Sequence, residues 1–348
     1  ISDCPTIDLN HVASGDRAIV ENFLASNKTI VIDSSEVFKY TKGMEKTHPV
    51  IDVVMRDLLE PMTSSEKQLV WKNRRKLVGI PLALAKVILS VNYTDIDMVH
   101  EMHQLLTMWE TISPKDTLQL LGSHFPDPIV RSFAVLCVDQ WSDENMCLYM
   151  LQLTTSLRHE PFHDNSLTRL LIRRALRNPE SVGHVLYWSL RSTLHGNEVR
   201  ESFAVVLELY LTHVNDSHRL ELGRQLYLVS RLKEINVQLR EEKSIEKKRK
   251  KMKQLLRETI MPQTFTLPLS PDFLCLYING DKSRVMDSKQ VPLLINFGAV
   301  EMPPPGTMLE KFTVKETKQY ELQAMFKCGD DLRQDQLTLQ IINVMDRL

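Results

Sequence analysis

Long apolar runs, paired cysteines and an excess of either charge are all missing from this 348-residue sequence. No run approaches the roughly 20 apolar residues that cross a bilayer, and no signal-peptide pattern is visible. The five cysteines are scattered without a Cys-x-x-Cys pair, which is typical of a reducing compartment. Lys and Arg number 43 against 44 Asp and Glu, so no global field attracts nucleic acid. We therefore expect a cytoplasmic protein that does not bind nucleic acid.

Helical periodicity dominates the sequence between residues 52 and 214. One stripe has apolar residues at steps of three and four: Val130, Phe133, Ala134, Cys137, Val138 and Trp141. Asp127 and Pro128 stand just before it and predict a helix start. Similar short stripes follow one another without strand-like alternation, which favours stacked helix pairs of the α-solenoid kind.

The pattern changes after two longer helical stripes, near Pro262. Short apolar segments beyond this point predict strands at 264–267, 273–278, 283–286, 293–297 and 320–327. The proline-rich segment 303–305 predicts a loop. A last helix is expected to begin at Asp330 and Asp331, where acidic residues are favourable caps.

These patterns predict a mainly α fold with three segments. Residues 1–51 are interpreted as the tail of a preceding domain and a linker, and residues 52–214 as a helical solenoid domain. Residues 215–348 are expected to form an α+β unit. The chain begins with Ile1 instead of Met, and it ends inside an apparent helix, so we expect both ends to be cut from a longer protein.

Asp335 interrupts an otherwise apolar stripe of the last predicted helix. A carboxylate there would be partly buried and would need a cation or hydrogen-bond donors. Lys327, at the end of the preceding predicted strand, is the natural partner. In kinase-type folds, a strand lysine paired with a helix carboxylate contacts nucleotide phosphates. The alternatives are a purely structural ion pair and an exposed Asp335.

The segment FKCGDDLRQDQLTLQ, residues 326–340, resembles the F-K-x-G-D-D-L-R-Q-D-x-L-x-L-Q signature of phosphoinositide 3-kinases. The resemblance implies that Lys327 contacts the phosphates of ATP and that Asp335 borders the nucleotide pocket. It also implies that residues 215–348 are an incomplete N-terminal lobe of a lipid kinase.

A second segment, RVMDSKQVPL (284–293), resembles the phosphate-binding loop of the same family. Ser288 would offer a hydroxyl and backbone N–H groups, and Lys289 would offer charge. Family members commonly carry another lysine where Gln290 stands, which implies weaker phosphate binding here.

The resemblance extends to the adenine side and to the helical region. It implies that Met286 and Met325 line the adenine, whereas ordinary core packing is the other interpretation. The stretch DPIVRSFAV (127–135) resembles the helical domain of the family. About 290 residues, from near residue 55 to the end, share the resemblance.

Phosphoryl transfer needs metal ligands and a residue that positions the acceptor hydroxyl. In this family they lie in a D-R-H-x-x-N loop and a D-F-G motif, and the sequence contains neither. We therefore expect a fragment of a phosphatidylinositol 3-kinase that is itself inactive. Its parent would use ATP and Mg²⁺ to phosphorylate the inositol D-3 hydroxyl, with the metal ligands beyond Leu348.

The expected partners are a phosphoinositide lipid at a membrane surface, to which the cytoplasmic protein is peripherally recruited, and a regulatory subunit. Two alternatives stay open. One is a phosphoinositide 4-kinase, whose signature is similar. The other is a non-catalytic helical scaffold that keeps a vestigial kinase segment.

Overall fold

A computed structural model describes residues 49–346, apart from 59, 110–111, 195–199, 262, 289 and 303–317. Most of the predicted tail 1–51 and the predicted loop 303–305 lie outside the described residues and stay predictions. The chain divides into two compact units. The first runs to Arg177 and includes Ser189–Leu209, whereas the second combines Asn178–Trp188 with the chain from Tyr210 onward. The predicted domain boundary after residue 214 stays a prediction.

Short helices follow one another through the first unit, as the periodicity predicts. Their bounds are α1 Pro49–Val54, α2 Ser64–Lys72, α3 Arg74–Leu77, α4 Leu84–Leu89, α5 Ile96–Met108, α6 Pro114–Leu120, α7 Pro128–Asp139, α8 Asp143–Leu148, α9 Met150–Ser156 and α10 Ser166–Arg177. Side-chain caps fix several starts. Thr63 and Glu66 form a capping box on α2, and Asp127 accepts hydrogen bonds from the first turn of α7.

Helix α7 lies at the centre of the first unit, where it packs against α5, α6 and α10. Val130, Ala134 and Val138 are fully buried, and Cys137 and Trp141 are nearly so. Phe133 is half-buried. The apolar face predicted from the three- and four-residue spacing is therefore confirmed, because these residues fill the core between neighbouring helices.

The chain continues with a π-helical turn and longer helices, which lead into a sheet. The bounds are Pro179–Gly183 for the turn, then α11 His184–Thr193, α12 Arg200–His213, α13 Asp216–Arg240, α14 Ile245–Glu258, β1 Phe265–Leu267, β2 Ser270–Val285, β3 Leu293–Glu301, β4 Gln319–Phe326 and α15 Arg333–Met345. In the second unit, α13 packs against α14 and β1, and α14 packs against β2. The predicted mainly α fold, with helices before a small sheet, is confirmed.

The four strands form one antiparallel sheet in the order β1-β2-β3-β4. The strands predicted at 273–278 and 283–286 are wrong as separate elements. They belong to the single strand β2, whose register shifts between Asn279 and Arg284. Such an irregularity inserts residues without a partner and breaks the alternation that the sequence pattern follows.

One face of the sheet covers the core, and the other, here named the open face, does not. Along β4, residues alternate between exposed and half-buried, as the sequence predicts. The core-facing side chains of β3 include Ile295 and Phe297, which pack in one cluster with residues of α13 and α14. On the open face, buried Asn296 donates to the Lys282 carbonyl and accepts from Gln323, so it links β2, β3 and β4.

Within the described ranges, none of the helices combines the length and apolar composition that crossing a bilayer requires.

Candidate functional site

One end of the sheet gathers the segments predicted to bind a nucleotide. Leu293, the first residue of β3, pairs with Val285 at the end of β2 and with Phe326 at the end of β4. The β2–β3 loop (286–292) and Lys327 therefore leave the sheet at the same end. Segments that are about 40 residues apart in sequence become neighbours through this pairing.

Lys327 directly follows β4, and 35% of its side chain is exposed. Its Nζ lies 3.7 Å from Oδ2 of Asp330. The predicted ion pair with Asp335 is therefore wrong, because the turn after β4 brings Asp330 to the ammonium instead. A loose ion pair of this kind at a partly exposed site contributes little, so the ammonium can still bind an anionic ligand.

Asp335 lies in the first turn of α15 and is exposed. The apolar residues of the predicted stripe are exposed too: Leu332 by 41%, Leu339 by 61%, Ile342 by 53% and Met345 by 67%. The prediction that Asp335 is partly buried is therefore wrong for this chain, because no described element covers the apolar face of α15. The predicted caps are wrong as well. Leu332 is the N-cap residue, and it makes no side-chain capping bond.

Ser288 sits at the tip of the β2–β3 loop with an exposed side chain. Its N–H donates to the Met286 carbonyl at 3.1 Å, and its carbonyl accepts from the N–H of Val291 at 3.1 Å. These bonds compact the loop and leave the Ser288 hydroxyl on its surface. Lys289 lies outside the described residues, so its role stays a prediction.

Met286 and Met325 are 42% and 50% exposed, so neither is a core methionine. Met325 lies on the open face, where its partner in β3 is Leu294 and the next residue across in β2 is Arg284. An apolar surface formed by exposed methionine beside Leu294 can contact a flat apolar ring. Sequence reasoning missed Leu294, because one leucine in a buried strand carries no signal of its own.

Arg240, the last residue of α13, is the second residue that sequence reasoning missed. Its Nη2 donates to the Gln290 carbonyl at 3.2 Å and to Gln290 Oε1 at 3.0 Å. The same group donates to the carbonyl of Cys328, the residue after Lys327. Arg240 thus contacts both candidate phosphate-binding segments. No local pattern could have revealed contacts across 50 and 88 residues of sequence.

The polar residues of the DPIVRSFAV stretch are structural. Arg131 is 3% exposed and binds Glu160 through two guanidinium nitrogens. It also donates to main-chain carbonyls, including those of Leu121 and Ser156. A buried guanidinium with all its donors engaged fixes neighbouring helices and has no free donor for a ligand.

Asp127 has two structural functions at the same time. It caps α7, and it makes a 2.9 Å hydrogen bond with Nε2 of buried His103 on α5. Burial by itself would raise the pKa of the Asp127 carboxyl. The bonds from His103 and from two backbone N–H groups outweigh burial and lower that pKa. Asp127 therefore stays ionised and joins α5 to α7.

Metal ligands are not grouped in the described part of the chain, where no three His, Cys, Asp or Glu side chains are placed to bind an ion. The Mg²⁺ ligands expected outside this sequence stay a prediction.

Comparison with known proteins identifies a matching family and several relatives in sequence. Residues 39–222 match the accessory domain (PIK domain) of the phosphoinositide 3-kinase family. The chain is 35% identical to phosphatidylinositol 3-kinase 2 of Dictyostelium discoideum over 291 residues, which are 84% of this chain and 15% of that protein. It is 33% identical to phosphatidylinositol 3-kinase 1 of the same organism over 292 residues, 84% of this chain and 17% of that protein.

A third relative, phosphatidylinositol 3-kinase 3 of Dictyostelium discoideum, is 33% identical over 307 residues, or 88% of this chain. The chain spans only 15–17% of the length of these three relatives. The similarity covers most of the chain and a small part of each relative.

Proposed function

Because this chain belongs to the phosphoinositide 3-kinase family, we propose that it is a segment of an ATP-dependent lipid kinase. The full-length protein would transfer the γ-phosphoryl group of ATP to the D-3 hydroxyl of a membrane phosphoinositide. This segment would contribute a helical domain and the phosphate-facing side of the nucleotide site.

One observation carries the proposal. The β2–β3 loop and Lys327 lie at the same end of the sheet, beside exposed Met286 and Met325 and half-buried Leu294. Cationic and hydroxyl donors beside an apolar surface match the two ends of a nucleotide.

The donor set fits ATP phosphates. The Lys327 ammonium is a compact charge that binds phosphate oxygens, and its loose contact with Asp330 leaves it available. The Ser288 hydroxyl is exposed and can donate to a phosphate oxygen. ATP, when bound, supplies the transferable phosphoryl group. In this proposal Lys327, Ser288 and Lys289 contact the phosphates, and Asp335 borders the nucleotide pocket.

The lipid substrate and membrane recruitment belong to the same proposal. The exposed surface of α14 carries Lys247, Arg249 and Lys250, and clusters of this kind are attracted to anionic lipid surfaces. A regulatory subunit, predicted from the resemblance, is also part of the proposal. Alone, this chain should transfer no phosphate, because its sequence has no D-R-H-x-x-N or D-F-G motif.

The test is Lys327→Met in the full-length protein, measured with ATP and phosphatidylinositol vesicles. We expect turnover to fall by about 100-fold or more, because methionine has no charge to place on the phosphates. The thermal midpoint should change by less than about 2 °C, because the lysine makes only a loose ion pair.

Lys318→Met is the matched control. Lys318 precedes the other end of β4, where its Nζ lies 5.0 Å from the Tyr320 ring centroid. The Lys318→Met protein should keep a turnover close to that of wild type. A folded Lys327→Met protein with normal turnover would refute the assignment of Lys327 to ATP. A wild-type protein that transfers no phosphate would favour the non-catalytic scaffold.

A further inference from the structure

The contacts of Arg240 connect the β2–β3 loop with the turn that follows Lys327. Its guanidinium donates to the Gln290 carbonyl, to Gln290 Oε1 and to the Cys328 carbonyl. We name this set of contacts the Arg240 bridge. One of its ends is two residues from Ser288, and the other is next to Lys327.

The loop end of the bridge is attached to α13 at a second point. Asn236, one helical turn before Arg240 and fully buried, donates from Nδ2 to the Val291 carbonyl at 2.7 Å. Asn236 and Arg240 therefore hold two successive carbonyls of the β2–β3 loop. A helix can do this because residues i and i+4 lie on one face.

Val291 has a backbone conformation that needs such support. Its φ of 52° lies in the left-handed region, which is unfavourable for a β-branched residue. Its side chain is 2% exposed and packs in the core of the second unit. Strained residues persist where the surroundings determine their conformation, and they concentrate at functional sites.

The Lys327 end of the bridge is a tight turn. Gly329 has a φ of 77°, which favours glycine. The Arg240 guanidinium lies beside this turn, 3.7 Å from where a Gly329 Cβ would be. The bond to the Cys328 carbonyl fixes the peptide unit between Cys328 and Gly329, one residue beyond Lys327, and so limits the path of the chain that leaves Lys327.

We propose that Arg240 is a positioning residue that sets the separation between Ser288 and Lys327, and hence the width of the phosphate site. The inference rests on the proposed function. The carbonyls of Gln290 and Cys328 that bond Arg240 cannot turn toward phosphate oxygens, which they would repel. Arg240 acts through these two segments and does not itself contact ATP.

Gln290 is the side-chain acceptor for Arg240, at the position where the family pattern commonly has a lysine. A lysine at this position has no acceptor atom and would place an ammonium against the guanidinium. We therefore expect Gln290→Lys to weaken ATP binding in this protein. If the new lysine instead bound phosphate directly, Gln290→Lys would strengthen ATP binding.

The experiment uses the full-length protein with Arg240→Met and Gln290→Lys. Both variants should raise KM for ATP about tenfold, because small displacements at a reaction site are costly, and neither should change KM for the lipid. Arg240→Lys should restore part of the ATP affinity. Arg231→Met is the matched control, because Arg231 lies on the same helix and pairs with exposed Glu234. The Arg231→Met protein should have the same KM for ATP as wild type.

Amide hydrogen exchange supplies a readout that does not depend on activity. Arg240→Met should accelerate exchange in residues 286–292 and in 328–331 together, with the remaining sheet unchanged. Unchanged exchange, or faster exchange with an unaltered KM for ATP, would overturn the inference. Absence of phosphate transfer by wild type would instead refute the proposed function, so the two failures are distinguishable.

Discussion

Two buried arginines of the first unit and two basic residues of the second unit have opposite environments. In the first unit Arg131 and Arg174 are 3% and 8% exposed, and their guanidinium groups bind carboxylates and main-chain carbonyls. In the second unit Lys327 is half-buried and Arg240 is exposed, and both lie at one end of the sheet. The same residue types therefore join helices in one unit and border an open site in the other.

This difference separates two reasons for a sequence signature. The signature around Arg131 corresponds to a closed set of hydrogen bonds, so changing it should affect stability. The signature around Lys327 corresponds to donors with few partners, so changing it should affect ligand binding. A match to a family motif does not by itself distinguish the two cases, whereas burial and hydrogen-bond partners do.

The largest expected effect is that of Arg131→Met on the first unit. The change leaves the Glu160 carboxylate, 8% exposed, without its cation. We expect a loss of about 3–5 kcal/mol in the free energy of unfolding, the usual cost of removing one partner of a buried ion pair. Urea unfolding followed by circular dichroism measures it.

Arg169→Met is the control for this measurement. Arg169 pairs with Asp164, whose side chain is 79% exposed, so the loss should stay within about 0.5 kcal/mol. Equal losses in the two variants would mean that burial does not set the contribution of arginine here. The comparison between units would then fail.

The next effect concerns pH and the second unit. Burial, with His184 nearby, lowers the pKa of His218 to about 4. Nε2 of His218 has no hydrogen-bond partner among the described residues. In the unfolded chain a histidine has a pKa near 6.5. The unfolded state therefore binds a proton between pH 6.5 and 4 that the folded state does not.

Stability should consequently fall as pH drops through this window, by about 3 kcal/mol in total from His218. It should be independent of His218 above pH 7, where the residue is neutral in both states. His218→Phe should remove this part of the slope, because phenylalanine fills the space beside Tyr210 without titrating. Unfolding free energies of both proteins, measured from pH 7.5 to 4.5, give the result. Identical slopes would show that His218 does not titrate as described.

Much of the fold could be predicted from the sequence. The α7 face and the alternation in β4 follow from side-chain periodicity, which is a local property. The prediction of two strands in place of β2 was wrong. The register shift between Asn279 and Arg284 breaks the side-chain alternation in the sequence, although the strand itself continues. The start of α7 could be predicted, because the Asp127 side chain caps it. The predicted capping of α15 was wrong, because its N-cap residue, Leu332, has no side chain that can cap a helix.

The candidate site could be predicted only in part. Lys327 and the β2–β3 loop were found through motifs, and strand register then places them together. The prediction of an ion pair between Lys327 and Asp335 was wrong. Helical periodicity shows which residues share a face of a helix, but it does not show whether another element covers that face. Arg240 could not be found, since its contacts depend on the path of α13 relative to residues far along the chain.

The smallest effect is expected for Asp335→Asn, and it tests the open character of the second unit. Asp335 is exposed in the first turn of α15, where a negative charge interacts favourably with the helix dipole. Removing the charge should reduce the stability of this chain by about 0.3–1 kcal/mol. Because Lys327 contacts Asp330 instead, the effects of Lys327→Met and Asp335→Asn on stability should add within about 0.5 kcal/mol. A double-mutant cycle of unfolding free energies measures the coupling. The matched control is the cycle of Lys327→Met with Asp330→Asn, in which the coupling should be stronger.

Strong coupling between Lys327 and Asp335 would mean that α15 packs against the sheet. This end of the second unit would then be as closed as the surroundings of Arg131.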